Sequence, residues 1–179
     1  MGKLINLLAV LGMTMLLTAC VATLPSLKTV DHVDIQRFMG DWYVIACIPT
    51  PYETEVYNAI ESYQLDEDGT IATTFIFHKG AFDGPLKTYK PRGFIVNSAT
   101  NATWGMQFIW PIKAEYLITY LTDDYTQTVI ARSKRDYVWI MARKPEIPEV
   151  DYIRIVEMLA AQGYDTSKLI KVPQSWPQP

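Results

Sequence analysis

Few side chains in this sequence could perform covalent or metal chemistry. The chain of 179 residues contains two cysteines, Cys20 and Cys47, and two histidines, His32 and His78. A structural zinc site takes four ligands, mostly Cys and His, and these four residues are scattered rather than paired at ligand spacing. We therefore expect neither a metal nor another cofactor.

Cys47 is the candidate nucleophile for an enzyme, which would need a base beside it. It comes late in the alternating run DWYVIACI (41–48). Successive side chains of a strand point to opposite faces, so Cys47 has the opposite parity to Trp42 and is expected to face outward. A small, partly buried hydrophobic role suits such a thiol. The sequence thus favours a protein that is not an enzyme.

The first residues, MGKLINLLAVLGMTMLLTAC, are typical of an export signal with a lipidation site. A basic tip precedes an apolar core that is shorter than the roughly 20 apolar residues needed to span a bilayer. The stretch Leu17-Thr18-Ala19-Cys20 resembles the lipobox of bacterial lipoproteins, in which the signal is cut before the cysteine and the cysteine is acylated. The resemblance implies that residues 1–19 are a signal peptide and that Cys20 carries the anchor. Residues 20–31 then form a tether.

The residue after the lipidated cysteine and the charge balance indicate where the protein acts. Val21 follows Cys20, and in the Gram-negative lipoproteins that this segment resembles, the absence of Asp there implies sorting to the outer membrane, with the domain expected on the periplasmic side. The chain has 16 basic and 19 acidic residues with no basic run, so nucleic acid is not an expected partner. With Cys20 acylated, Cys47 has no partner for an intramolecular disulfide.

From residue 41 onward, short apolar runs alternate with turn signals. The runs 57–65 and 70–78 flank DEDG (66–69), which predicts a hairpin. Pro91 predicts a bulge or an edge position within 86–96. Eight runs follow one another at the spacing typical of an all-β sandwich or barrel: 41–48, 57–65, 70–78, 86–96, 103–110, 115–121, 126–132 and 137–143.

One later segment has a helical pattern. Residues 148–163 place apolar side chains from Tyr152 to Leu159 at helical spacing, between Pro148, which suits a first turn, and Gly163, which suits a C-terminal cap. An amphipathic helix of this kind needs an apolar surface to lie on.

Several strands are apolar on both faces, which fits a barrel or a sandwich, and periodicity alone leaves both open. In an up-and-down barrel, one face would line the interior and the other could lie under the helix. We expect a short ninth strand at 169–172 and a loose tail at 174–179. Residues 32–173 would form a single domain.

Residues 33–46, VDIQRFMGDWYVIA, strongly resemble the first motif of the lipocalins, a hydrophobic turn that leads into Gly-x-Trp. In that family the Trp plugs the closed end of a β-barrel, and the Gly lets the preceding turn pass close beneath it. The resemblance assigns these roles to Trp42 and Gly40. Val44 departs from the relatives, which often have Glu at this position, so the first strand lacks an ionisable group there.

Two further stretches resemble the second and third lipocalin motifs. In LTDDYTQTVIA (121–131), Asp124 and Tyr125 match the family. In YVWIMARKP (137–145), Arg143 corresponds to an arginine that lies across the Trp ring. The resemblance is closest to bacterial outer-membrane lipoproteins of the family and to apolipoprotein D. It implies an all-β fold, an eight-stranded antiparallel up-and-down β-barrel with one C-terminal α-helix packed outside.

The same resemblance implies a ligand class. An apolar chain gains about 0.8 kcal/mol per buried CH₂, so a tail as long as that of palmitate gains on the order of 10 kcal/mol before ordering costs. We expect the protein to bind, and to store or transport, fatty acids or lysophospholipids at the outer membrane. The candidate ligand-binding residues of the barrel wall are Tyr116, Trp110, Phe108, Phe75 and Phe77, with Tyr116 matching a tyrosine of the relatives.

Two alternatives remain at this stage. A structural or interaction lipoprotein would fill its barrel with its own side chains, such as Trp104, Trp110 and Trp139, and a cavity too small for an acyl chain would favour it. An enzyme of the same fold would use Cys47. The resemblance also allows a homodimer, on which the sequence is silent.

Overall fold

The computed structural model describes residues 25–176, so the predicted signal peptide, Cys20 and the last three tail residues lie outside the described residues. The described part contains two α-helices, α1 (Ile35–Phe38) and α2 (Glu149–Ala161), and a 3₁₀ turn at Thr166–Lys168. Its strands are β1 (Gly40–Ile48), β2 (Val56–Leu65), β3 (Ile71–Lys79), β4 (Leu86–Tyr89), β5 (Arg92–Ile95), β6 (Thr103–Ile109), β7 (Ile112–Leu121), β8 (Gln127–Ala131), β9 (Val138–Ala142) and β10 (Ile170–Lys171).

The strands close into an antiparallel barrel. Neighbours follow the order β1-β2-β3-β5-β6-β7-β8-β9, and β9 pairs back onto β1. The predicted eight-stranded up-and-down barrel is therefore confirmed, and the sandwich is excluded. The predicted strand at 86–96 is interrupted at Pro91, which separates β4 from β5. The break falls there because proline cannot donate to the ladder, and both pieces pair with β3.

A β-bulge in β1 changes which side chains face the interior. Val44 pairs with Met141 and Ala46 pairs with Ile140, so Ile45 is the extra residue. Beyond the bulge the alternation resumes with the opposite parity, and Cys47 belongs to the same buried cluster as Trp42. The expectation that Cys47 faces outward is wrong because it assumed an uninterrupted strand.

Helix α2 packs against the outside of the barrel. Ile155 and Leu159 are buried in a second apolar cluster with Ile140 of β9 and Val129 of β8. These strands are apolar on both faces because one face lines the interior and the other lies under the helix.

Within residues 25–176, no helix combines the length and the apolar character needed to cross a membrane.

The end of the described chain occupies the gap where β1 and β2 separate. The two strands pair only as far as Tyr43 and Ile60, and β10 then pairs with Ala46 and Cys47. We call residues 172–176 the C-terminal segment. It bonds to both strands: the Gln174 amide nitrogen donates to the carbonyls of Val44 and Ala59, at 2.8 and 3.3 Å.

The expectation of a loose tail therefore differs from the structure at residues 174–176. Asn58 holds the C-terminal segment through three hydrogen bonds of 2.7–2.9 Å, to Pro173 and Ser175. The ring of Trp176 packs edge-on against Tyr43, with centroids 5.5 Å apart. Polar residues hold this tail in place because the splayed strands leave backbone groups without partners.

Candidate functional site: the barrel interior and its rim

The closed end of the barrel is built on Trp42 and Arg143. The Trp42 ring is fully buried, and its indole N–H donates to the carbonyl of Phe38 at 2.9 Å. The Arg143 guanidinium lies 3.8 Å from the Trp42 ring centroid, as the resemblance implies. It also donates to the carbonyls of Arg37, Phe38, Met39 and Asp41 at 2.7–3.0 Å. One side chain thus covers the Trp42 ring and supplies hydrogen-bond donors to the carbonyls at the end of α1.

The chain enters the closed end through a turn that only glycine takes without strain. Gly40 has φ of +91°, whereas an added Cβ would meet Arg143 Nη1 at an ordinary 3.5 Å. Backbone conformation rather than a tight approach is thus the reason for glycine here. The turn between β7 and β8 closes the same end: the Tyr125 hydroxyl accepts from the backbone of Asp34 at 2.8 Å, and Asp124 accepts from Thr126.

Above the closed end, five aromatic side chains fill the lower interior; we call them the aromatic floor. They are Phe38, Trp42, Tyr63, Trp104 and Tyr116, all buried. Trp104 and Tyr116 stack with centroids 5.4 Å apart, and Phe38 contacts Trp42 and Trp104 at 5.0 and 5.4 Å. The Tyr63 and Tyr116 hydroxyls are hydrogen-bonded to each other. The lower interior is therefore packed core rather than open space.

A small cavity lies above the aromatic floor. Its volume is about 40 Å³, well below the about 300–1,000 Å³ of pockets that enclose a drug-sized ligand. This volume has room for one or two waters at most, so an acyl chain can enter only if side chains move. The cavity is lined by Glu53, Glu61, Phe75, Met106, Phe108, Glu115, Tyr116 and Trp139.

The predicted wall residues divide into three groups. Tyr116, Phe75 and Phe108 line the cavity. Phe77 is buried beside Phe75, with ring centroids 5.2 Å apart, and belongs to the interior cluster. Trp110 does not lie in the wall, because β6 ends at Ile109 and the chain turns there, which leaves Trp110 82% exposed.

Sequence reasoning missed the ionisable group of the interior, Glu61. Its strand partners are Trp42 on β1 and Phe75 on β3, both interior residues. Glu61 is 9% exposed, and burial raises its pKa to about 8, to which the nearby charge of Glu53 adds, while the Tyr63 hydroxyl lowers it. The alternation of side chains along β2 could have predicted this position, since Glu61 lies on the same strand face as Ala59 and Tyr63.

Cys47 has no features of a nucleophile. Burial raises the pKa of its thiol to about 12, and the charge of Glu53 adds to the rise. The thiolate is the reactive form, and burial disfavours it at neutral pH. It packs as a small hydrophobic residue in the interior, opposite Trp139.

The open end of the barrel carries exposed apolar side chains, which we call the apolar rim. Four of its members lie at the turn between β6 and β7 and are 59–82% exposed. The loops after β1 and β3 add one aromatic residue each. The apolar rim consists of Tyr52, Phe82, Phe108, Ile109, Trp110 and Ile112.

The fold is a closed antiparallel barrel with one plugged end, an apolar rim at the other end and a helix on its flank. These features define the class of cup-shaped ligand-binding barrels. A family profile described as a lipocalin-like domain matches residues 33–174. The chain belongs to the lipocalin family.

Individual relatives agree with this assignment. The chain is 31% identical to temperature-induced lipocalin-1 of Arabidopsis thaliana over 83% of each chain. It is 26% identical to the outer membrane lipoprotein Blc of Escherichia coli K12, over 96% of this chain and 98% of that one. Apolipoprotein D of Mus musculus is also 26% identical, over 84% and 82%. Among solved structures, insecticyanin of Manduca sexta superposes with a TM-score of 0.67 at 18% identity, over 84% and 86% of the chains.

Proposed function

We propose that this lipocalin binds a single-chain amphiphilic lipid, a fatty acid or a lysophospholipid, in the upper half of its barrel, and stores or carries it at the outer membrane. The observation that carries the proposal is a cavity above the aromatic floor that is bordered by Phe75, Phe108 and Trp139. Phe108 also belongs to the apolar rim, so apolar surface runs from solvent into the barrel. An acyl chain that follows this surface would displace Phe108 first.

The position of Pro25 beside the open end of the barrel supports a membrane location for this activity. The carbonyl of Pro25 accepts a hydrogen bond from Arg135, in the turn between β8 and β9 at the open end of the barrel. Cys20 lies five positions before Pro25, and an extended chain spans at most about 3.6 Å per residue. A lipid on Cys20 would therefore lie within about 20 Å of Pro25, and so on the side of the open end of the barrel.

The relatives support the same location. Proteins named outer membrane lipoprotein Blc match this chain along nearly its whole length in both Escherichia coli and Vibrio cholerae. Two acyl chains anchor a protein stably, whereas one gives marginal binding. We infer that Cys20 carries the anchor and that the barrel lies on the periplasmic side.

A competitive binding assay tests the proposed function. The mature protein is titrated with palmitate and with palmitoyl lysophosphatidylcholine against a fluorescent fatty acid, below the micelle concentration of each lipid. Displacement at micromolar concentration by at least one lipid is the expected result. Native mass spectrometry of protein extracted from membranes identifies whichever lipid is retained.

The cavity volume favours a second candidate, a structural lipoprotein whose barrel is filled by its own side chains. Trp104 is buried and Trp139 belongs to the interior cluster, so two of the three tryptophans predicted for a filled interior are there. If neither lipid displaces the probe and the extracted protein carries none, the filled barrel is the better description.

A further inference from the structure

The upper interior of the barrel contains a carboxyl group without a cationic partner. Glu61 lies between Trp42 and Phe75 on the inner face and borders the cavity. Within residues 25–176, no Lys, Arg or His side chain forms an ion pair with it. A carboxylate has about four acceptor sites for hydrogen bonds. The polar neighbour of Glu61 on the same strand supplies a single donor, the hydroxyl of Tyr63. That hydroxyl is already joined to Tyr116.

The other two carboxyl groups that line the cavity already accept hydrogen bonds from the protein. Glu53 accepts from the backbone of Thr50 at 2.9 Å and from the indole N–H of Trp139 at 3.0 Å. Glu115 accepts from the backbone and the hydroxyl of Ser133 at 2.6 and 2.8 Å. Glu61 is therefore the cavity carboxyl with the most acceptor sites left for a ligand.

The charges around the cavity have one sign. Three of its lining residues are glutamates, and no Lys, Arg or His is among the lining residues. The charge of Glu53 raises the pKa of Glu61, and the same field acts on the charge of any ligand nearby. A second anion beside these carboxyls would be repelled and desolvated, whereas a cation would gain a partner.

We propose that the lumen selects a single-chain amphiphile whose polar end carries an ammonium group, held by Glu61, over one that ends in a carboxylate. The proposal rests on the proposed function and narrows it, since a fatty acid carries only the disfavoured charge. Glu61 would set which head group enters, while the apolar wall takes the chain.

Binding of a cation would change the protonation of Glu61. Near neutral pH Glu61 holds its proton, because burial raises its pKa to about 8. An ammonium ligand stabilises the charged carboxylate and releases that proton, so its affinity rises with pH by up to about tenfold per unit until about pH 8. A carboxylate ligand would raise the pKa of Glu61 further, so its affinity falls with pH only above about pH 8, where the free protein loses this proton. The titratable groups that face Glu61 from the surrounding elements are Glu53, Tyr63, Glu115 and Tyr116. Cys47 also belongs to the interior cluster.

Three probes with the same chain and different ends test the proposal: dodecyltrimethylammonium, dodecanol and dodecanoate. Titration calorimetry of the mature protein below micelle concentrations, from about pH 6 to about pH 9, gives each affinity, and a comparison of buffers gives the protons released. At about pH 8 we expect the ammonium probe to bind at least about tenfold more tightly than dodecanoate. We expect Glu61→Gln to abolish this preference and the proton release, whereas the exposed surface variant Glu157→Gln retains both.

The outcomes separate the two proposals. If dodecanol binds but dodecanoate equals the ammonium probe, or if Glu61→Gln leaves their ratio unchanged, the head-group selection is overturned and the proposed function stands. If none of the three probes binds, both proposals fail. The pH series on the unmodified protein decides the matter even if Glu61→Gln does not fold.

Discussion

At the scale of single residues, Arg143 performs several structural tasks at the closed end. It covers the Trp42 ring and donates to four carbonyls of the entering chain. Hydrogen bonds from a charged donor contribute about 1.5–3 kcal/mol each, so we expect Arg143→Ala to lower the free energy of unfolding by about 3 kcal/mol or more. Arg143→Lys should lose an intermediate amount, because an ammonium cannot bridge several acceptors as the guanidinium fork does.

Urea unfolding measures this loss. Arg154→Ala is the matched control, since Arg154 is exposed and pairs with Asp151 on the same helix. Such pairs contribute under about 1 kcal/mol. An Arg143→Ala protein as stable as the Arg154→Ala protein would refute the structural role given to Arg143.

Glu61 makes stability depend on pH in an unusual direction. In the folded chain its pKa is about 8, against 4.5 for an ordinary Glu, so between these values the folded state holds a proton that the unfolded state has lost. The free energy of unfolding therefore falls as pH rises through this window, by at most about 1.4 kcal/mol per pH unit. Above about pH 8 this contribution stops changing.

Denaturation of the protein and of Glu61→Gln across the same pH range checks this prediction. The variant has no proton to lose at this position, so its stability should fall much less between about pH 5 and about pH 8. Glu157→Gln, which changes an exposed residue, should follow the unmodified protein. Parallel curves for the protein and Glu61→Gln would mean that Glu61 is not buried as described.

At the scale of elements, the sequence predicts what depends on local pattern. The alternating runs and turn signals predicted the strands and the break near Pro91, and helical spacing predicted the helix that buries Ile155 and Leu159. The motifs indicated the closed end, where Arg143 lies over Trp42.

What the sequence could not predict depends on contacts between distant segments. The bulge at Ile45 follows from the pairing of β1 with β9 and reverses the side on which Cys47 lies. The tail sequence PQSWPQP (173–179) is rich in proline and polar residues, which locally indicates a loose tail. The C-terminal segment is held in place because β1 and β2 separate beside Asn58.

The C-terminal segment should therefore contribute to stability. Removing residues 173–179 would leave backbone groups of Val44, Asn58 and Ala59 without these partners. At about 1 kcal/mol for each of five hydrogen bonds, we expect the free energy of unfolding to fall by roughly 3–5 kcal/mol. Hydrogen exchange should show the loss first at Asn58, whose N–H donates to Pro173. Removal of residues 177–179 alone is the control and should leave the exchange of Asn58 unchanged.

At the scale of the whole molecule, the barrel has two chemically different ends. The closed end is sealed by aromatic packing and by the charged Arg143, whereas the open end carries the apolar rim. Pro25 lies at the open end, beside Arg135. A lipid anchor on Cys20 would bring the rim, rather than the sealed end, to the membrane, and a ligand could then pass between bilayer and lumen without crossing much water.

This orientation predicts which tryptophan meets the lipid. Trp110 is 82% exposed at the tip of the rim, and tryptophan prefers the membrane interface, whereas Trp176 packs on Tyr43 away from the rim. In vesicles containing brominated lipids, the lipidated protein should show quenched tryptophan fluorescence. Trp110→Phe should remove most of that quenching, and Trp176→Phe should preserve it. Equal quenching in the two variants would mean that the open end does not face the bilayer, and the route proposed for the ligand would have to be abandoned.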